Sequence, residues 1–239
     1  MSLAPSPSPS ASRGQLVLQP NYFSSSLYVI PLRNDISTLI HHYHLQYSLF
    51  PQNPFALFKR IWLSHGWKWF HLKVYDAPSR QSFLNITLRL FLERTDISET
   101  LFTRTAALFG FYTLFYTQPL QTAPPLYSVS HVPIPIDDYR SLRMLPSLLA
   151  TPDLLPLQPF SIVLLSLLLK DDVFYILPSS TVWPHTPRQL PREQVSMIEG
   201  RTGGEEGKRK RGRPSREEKE RRRIYALERL DKWLETVKP

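Results

Sequence analysis

The densest run of side chains that could do chemistry in this 239-residue chain is Lys208-Arg209-Lys210-Arg211-Gly212-Arg213-Pro214. Gly212 has no side chain to hold the backbone off a groove floor. Arg211 and Arg213 can extend to either side of it along the narrow, strongly negative minor groove of A·T-rich duplex, and Pro214 keeps the segment extended. Lys208, Arg209 and Lys210 add salt-dependent contacts to phosphates. The same residues also read as a nuclear localisation signal or as a solvated charge run. Glu217, Glu218 and Glu220 follow at once, so the expected DNA contact stops at Pro214.

Other chemistry is thinly supplied. The chain has no cysteine, which excludes a disulfide framework, a thiolate metal site and a cysteine nucleophile, and favours an intracellular home. His41, His42 and His44 cluster, and His65 and His71 flank Trp67 and Trp69, but no His-Glu-x-x-His or Cys/His spacing occurs, so no metal is expected. No Gly-rich phosphate loop and no Gly-x-Ser-x-Gly is present. Asp137-Asp138 and Asp171-Asp172 are carboxylate pairs that fit helix starts and turns better than acid–base catalysis. Asn85-Ile86-Thr87 matches a glycosylation sequon but falls inside an expected helix. The chain therefore reads as a non-enzyme without cofactors. Trp62, Trp67, Trp69 and Phe70, interleaved with Lys59, Arg60, Lys68 and Lys73, could stack nucleic-acid bases. Aromatic density of this kind more often marks a core or a protein interface.

These residues need a scaffold, and its centre is Leu101 to Thr117. Leu101, Thr105, Leu108, Tyr112 and Phe115 share one helical stripe, and Phe102, Ala106, Phe109, Thr113 and Tyr116 form a second beside it. Asp96 and Glu99 are positioned to cap this helix, and Pro119 ends it. Arg104, its single charge, needs a carboxylate or several carbonyls around it. Further helices are expected from Asn34 or Asp35 to Ser48, Phe55 to Ser64, Pro78 to Arg94, Asp137 to Leu145 and Phe160 to Leu169. Residues 15–30 read as extended, residues 67–75 as strand or loop, and 119–136 as a Pro-rich connector whose SVSHVPIPI could lie as a strand. The 23 prolines against 8 glycines favour short helices joined by extended connectors over tight hairpins.

The expected architecture is all-α. A disordered Ser/Pro tail (1–14), with no signal-peptide pattern, precedes a compact helical domain (15–180), a linker (181–207) and a basic segment with a C-terminal amphipathic helix (208–239). Ser215 and Glu218 form a capping box for that last helix, whose apolar side includes Leu227, Leu230 and Leu234. Only Leu227 and Leu234 keep a seven-residue step, too little for a leucine zipper. The net charge of +9 is uneven: residues 201–239 hold 14 Lys+Arg against 8 Asp+Glu, so a basic arm hangs on a nearly neutral body. No apolar run reaches the roughly 20 residues of a membrane span.

Two resemblances carry these observations further. The Arg-Gly-Arg-Pro core at 211–214 resembles an AT-hook. The body resembles subunit 1 of the small-nuclear-RNA-activating protein complex, SNAPc. That family's Phe-x-x-Phe-x-x-x-Trp helix is matched by Phe55, Phe58 and Trp62. Its Arg-led aromatic helix ending Tyr/Phe-x-Thr-Gln is matched by Arg104, Ala107, Leu108, Tyr112, Leu114, Thr117 and Gln118. A short extended segment before an Asp-led helix corresponds to 132–139, and a Lys/Leu-Asp-x-x-Phe finger to Lys170, Asp171, Phe174 and Pro178. The likeness spans about residues 50–180. It implies a nuclear, non-catalytic scaffold subunit that joins subunits 3 and 4 on small nuclear RNA promoters and serves RNA polymerases II and III. On that reading Phe55, Phe58, Trp62, Trp67, Trp69, Arg104, Phe109 and Tyr112, with Leu227, Leu230 and Leu234 of the last helix, are the expected partner contacts, while Lys208 to Pro214 meets promoter DNA. The alternative is a stand-alone architectural AT-hook chromatin protein.

Overall fold

The computed structural model describes residues 19–49, 52–178 and 185–189. The Ser/Pro tail, most of the linker, the basic run Lys208 to Pro214 and the last helix with Leu227, Leu230 and Leu234 lie outside the described residues.

The described chain is helical, as expected, with one short sheet added. In order it runs α1 (Pro20–Phe23), α2 (Ser26–Tyr47), α3 (Pro54–Ser64), a 3-10 segment (Trp67–Leu72), α4 (Ala77–Glu93), α5 (Leu101–Tyr116), β1 (Val132–Pro135), α6 (Ile136–Leu148), a 3-10 turn (Leu155–Leu157), α7 (Gln158–Lys170) and β2 (Phe174–Leu177). Helix α5 sits at the centre and packs against α2, α3, α4, α6 and α7. Ala106, Ala107, Leu108, Phe109, Phe111 and Leu114 are inaccessible to solvent, which explains a helix apolar on most of its circumference. Gly110 makes a close approach possible: a Cβ at this position would run into the ring of Phe91 in α4.

Several boundaries differ from the sequence reading. Helix α2 begins at Ser26 and runs straight through Pro31, so Asn34 and Asp35 are interior residues and not caps. An interior proline costs a helix about 3 kcal/mol. Burial of Phe23, Val29 and Leu32 outweighs that cost, helped by Phe23 meeting Tyr28 and Phe83 at 5.1 and 5.5 Å. The expected extended stretch before residue 30 is consequently helical over Pro20–Phe23 and from Ser26. Helix α5 is capped by Thr100, whose Oγ1 accepts from the Thr103 N–H, and not by Asp96. Asp96 instead accepts from the Ser98 N–H at 2.8 Å, and Glu99 pairs with Arg94. Asp96 lies four residues before the cap, and Glu99, next to Thr100, is turned to Arg94.

Gly66, at φ +75°, ends α3 in the left-handed region and reverses the chain. The following WKWFHL, ambiguous in sequence, is a 3-10 helix whose period of three turns Trp67 and Phe70 inward and Trp69 outward. Within the connector, SVSHVPIPI takes the strand option as β1, paired in parallel with β2 in the register Val132 to Phe174. Pro133 and Pro135 alternate with Val132 and Ile134. The Val132 N–H faces β2 and bonds the Val173 carbonyl at 2.7 Å, so the prolines' missing donors fall on the other edge.

Residues 185–189, linker by composition, lie against the body. Arg33 bonds Glu93 at 2.8 Å and donates to the His185 carbonyl, and Arg188 exchanges backbone bonds with Ser24 and Ser26. No helix among the described residues is long and apolar enough to cross a membrane.

Candidate partner interface

The polar chemistry inside the body is structural, and it begins with two fully buried arginines. Arg104 meets no carboxylate within salt-bridge distance among the described residues. Its Nε donates to the Thr95 carbonyl at 3.0 Å, and one terminal nitrogen donates to the carbonyl and hydroxyl of Ser141 at 3.1 and 2.7 Å. The side chain therefore ties the turn before α5 to α6. Burial lowers its pKa, while the Asp96 carboxylate acts in the opposite direction.

Arg80 carried no signal in the sequence, yet it is the larger of these anchors. It stands in the first turn of α4, where the helix dipole disfavours a cation. Its Nε donates to the Tyr127 carbonyl at 2.7 Å and its Nη1 to the carbonyls of His71 and Val74, the latter at 2.9 Å. One guanidinium thereby ties the 3-10 segment and the connector after α5 onto α4. Fork geometry is required, since a single ammonium presents its donors from one point.

The Thr-Gln pair that closes α5 continues the same work. Gln118 donates to the Val129 carbonyl at 3.0 Å and accepts from the Val129 N–H at 2.7 Å, so its amide stands in for a strand partner. The Nε2–H of His71 reaches the Leu114 carbonyl at 3.0 Å and Thr117 Oγ1 at 3.2 Å, which leaves Nδ1 buried without a partner. Burial, with Arg80 close by, lowers the His71 pKa to about 4. The depressed value means that the folded state favours neutral imidazole, so this group's stabilisation is complete above the unfolded pKa of about 6.5 and is lost as pH falls towards 4. Unfolding free energy is expected to drop by about 2 kcal/mol between pH 7 and pH 5 through this residue. Urea titrations at both pH values should show a smaller drop for His71→Asn, and equal drops would contradict the assignment.

The expected partner contacts separate into inner and outer groups. Phe58, Trp62, Trp67, Arg104 and Phe109 are buried within the chain's own core. Phe109, for example, packs edge-on to Phe55 and Phe58 at 5.1 and 5.7 Å. Phe55 and Tyr112 are half-buried, and Trp69 is exposed. Phe55, Tyr112 and Phe160 meet along the seam of α3, α5 and α7, with Phe55 at 6.0 and 6.4 Å from the other two. Tyr116 extends the seam outward, 4.6 Å from Tyr112, and its hydroxyl donates to Asp171. Burial and Asp171 together raise the Tyr116 pKa. Among the described residues no group of His, Cys, Asp or Glu has the arrangement of a metal site.

This is a helical body whose buried cations anchor loops and whose aromatic seam of Phe55, Tyr112 and Phe160 stays partly open. The family model for the small nuclear RNA activating complex (SNAPc), subunit 1, matches residues 32–176, and the chain belongs to that family. Membership places it among the subunits of a nuclear transcription complex. No curated protein matches the chain.

Proposed function

We propose that the chain is a non-catalytic scaffold subunit of a SNAPc-like complex, joined to subunits 3 and 4 at small nuclear RNA gene promoters and supporting transcription by RNA polymerases II and III. The observation that carries this reading is the family match across residues 32–176, which covers nearly all of the described fold. The half-buried seam of Phe55 and Tyr112 supports it as a partner face. Lys208 to Pro214 adds affinity for A·T-rich minor groove.

Co-expression of the full chain with subunits 3 and 4 should give a stable complex that survives deletion of residues 201–239, with Tyr112→Asp weakening assembly more than it weakens the fold. A soluble chain that captures neither subunit would refute the scaffold reading and favour a stand-alone chromatin protein.

The arm is tested separately. Replacing Arg211 and Arg213 with alanine is expected to weaken binding to A·T-rich duplex and to make the salt slope shallower by about 2, near one per lost contact. Unchanged affinity in a salt titration would leave those residues with a localisation role alone.

A further inference from the structure

Helix α3 and the 3-10 segment after it form a surface that assembly through the aromatic seam does not explain. Residues 52–75 contain Lys59, Arg60, Lys68 and Lys73 and no Asp or Glu. All four cations are exposed, and none forms a salt bridge among the described residues. The lysines rest instead on aromatic rings. Lys59 Nζ lies 4.5 Å from the centre of Phe55, Lys68 Nζ lies 4.8 Å from Trp69, and Lys73 Nζ lies 5.3 Å from Phe70. Exposed contacts of this kind are weak, so an incoming carboxylate can recruit these ammonium groups at little cost. Large apolar side chains stand among them: Leu63 is 52 % and Trp69 58 % exposed. Asp76, next in sequence, is committed to capping α4, and Asp35 stands across a hollow from Lys73.

Positive charge with an aromatic also suits nucleic acid, but the ring placement argues against it. A stacking platform offers successive open ring faces to successive bases. Here Trp62, Trp67 and Phe70 stack on one another within the core, at 4.9 and 5.0 Å, which leaves Trp69 as the outward ring of that group. One face of Trp69 already carries Lys68. Leu63 and Trp69 gain from apolar cover that a phosphate backbone does not supply.

We infer that the surface of α3 and the 3-10 segment docks an acidic, amphipathic segment of another protein, its carboxylates meeting Lys59, Arg60 and Lys68 and its apolar side chains covering Leu63 and Trp69. The inference names the partner's chemistry and rests on the reading of the body as an assembly module. A test uses the full chain and a fluorescein-labelled 20-residue peptide with Leu at i, i+3, i+4 and i+7 and Glu elsewhere. The expected result is saturable binding, a blue shift in tryptophan emission that Trp69→Phe abolishes, and at least tenfold weaker binding by the Lys59→Glu, Lys68→Glu double variant. All of these substitutions are at exposed positions, and circular dichroism checks the fold.

Equal affinity in the double variant, or a shift that persists in Trp69→Phe, overturns the inference. So does A·T-rich duplex DNA eliciting the Trp69 shift while the peptide does not. If subunits 3 and 4 still assemble with the chain while the peptide ignores this face, the assembly reading stands and this inference alone is lost.

Discussion

Arg80→Met should destabilise the fold by about 3–5 kcal/mol, a fifth or more of the roughly 5–15 kcal/mol stability of an ordinary domain. The carbonyls of His71, Val74 and Tyr127 would lose their donor, and each buried acceptor left unmatched costs about 1–3 kcal/mol. Relief of the guanidinium's own burial offsets part of this sum. Arg80→Lys should recover no more than about half, because one ammonium cannot serve three carbonyls that converge from two loops. Urea unfolding gives the magnitude. Amide exchange should show early opening of residues 67–74 and 121–130, the segments that the guanidinium holds down. A methionine variant as stable as the parent, with unchanged exchange there, would mean that the carbonyls find other donors and that Arg80 is not an anchor.

Gly110→Val should cost about 3 kcal/mol or more, the upper end of the range for overpacking a well-filled core. A Cβ built at Gly110 lies 2.7 Å from Phe91 Cδ1 and closer still to Cε1. The ring has nowhere to go, since Phe91 is inaccessible to solvent and packs against Trp62 and Trp67 at 6.0 and 5.5 Å. Gly110→Ala is the finer test, because alanine gains about 1 kcal/mol of helix propensity over glycine while meeting the same clash. The clash should win, with a net loss on thermal and urea unfolding. In a Phe91→Leu background the alanine penalty should shrink by at least about 1 kcal/mol, the sign of direct coupling between neighbours. An alanine variant more stable than the parent would show that α4 and α5 can separate cheaply, and would weaken the view of α5 as a rigid centre.

The family motifs gain physical reasons from these contacts. Thr117 and Gln118 close α5 by binding His71 and Val129, and Phe58 and Trp62 fill the core beside Phe109 and Phe91. Most of the motif is thus about folding. Of the aromatic positions expected to meet a partner, the core leaves Phe55 and Tyr112 partly open and Trp69 exposed.

Helical periodicity in the sequence was enough to determine α3, α4, α5 and α7 within a few residues, because each carries an apolar face at helical spacing and a proline or glycine near an end. The same local signals misplaced the start of α2, where Asn34 and Asp35 resemble caps but are interior, and left WKWFHL undecided between strand and loop. Aromatic spacing did not tell which side chains face the core: Trp67 and Trp69 are two residues apart, one in the core and one in solvent. That division follows from a 3-10 period, which local composition does not reveal. Arg80 and Arg104 show the limit most clearly. A lone arginine in an apolar helix announced that it needed acceptors, but those acceptors are main-chain carbonyls, identical at every position of the chain. Which carbonyls converge on which guanidinium, and that β1 finds β2 some forty residues away, depends on contacts between distant segments. Only the tertiary structure brings those segments together.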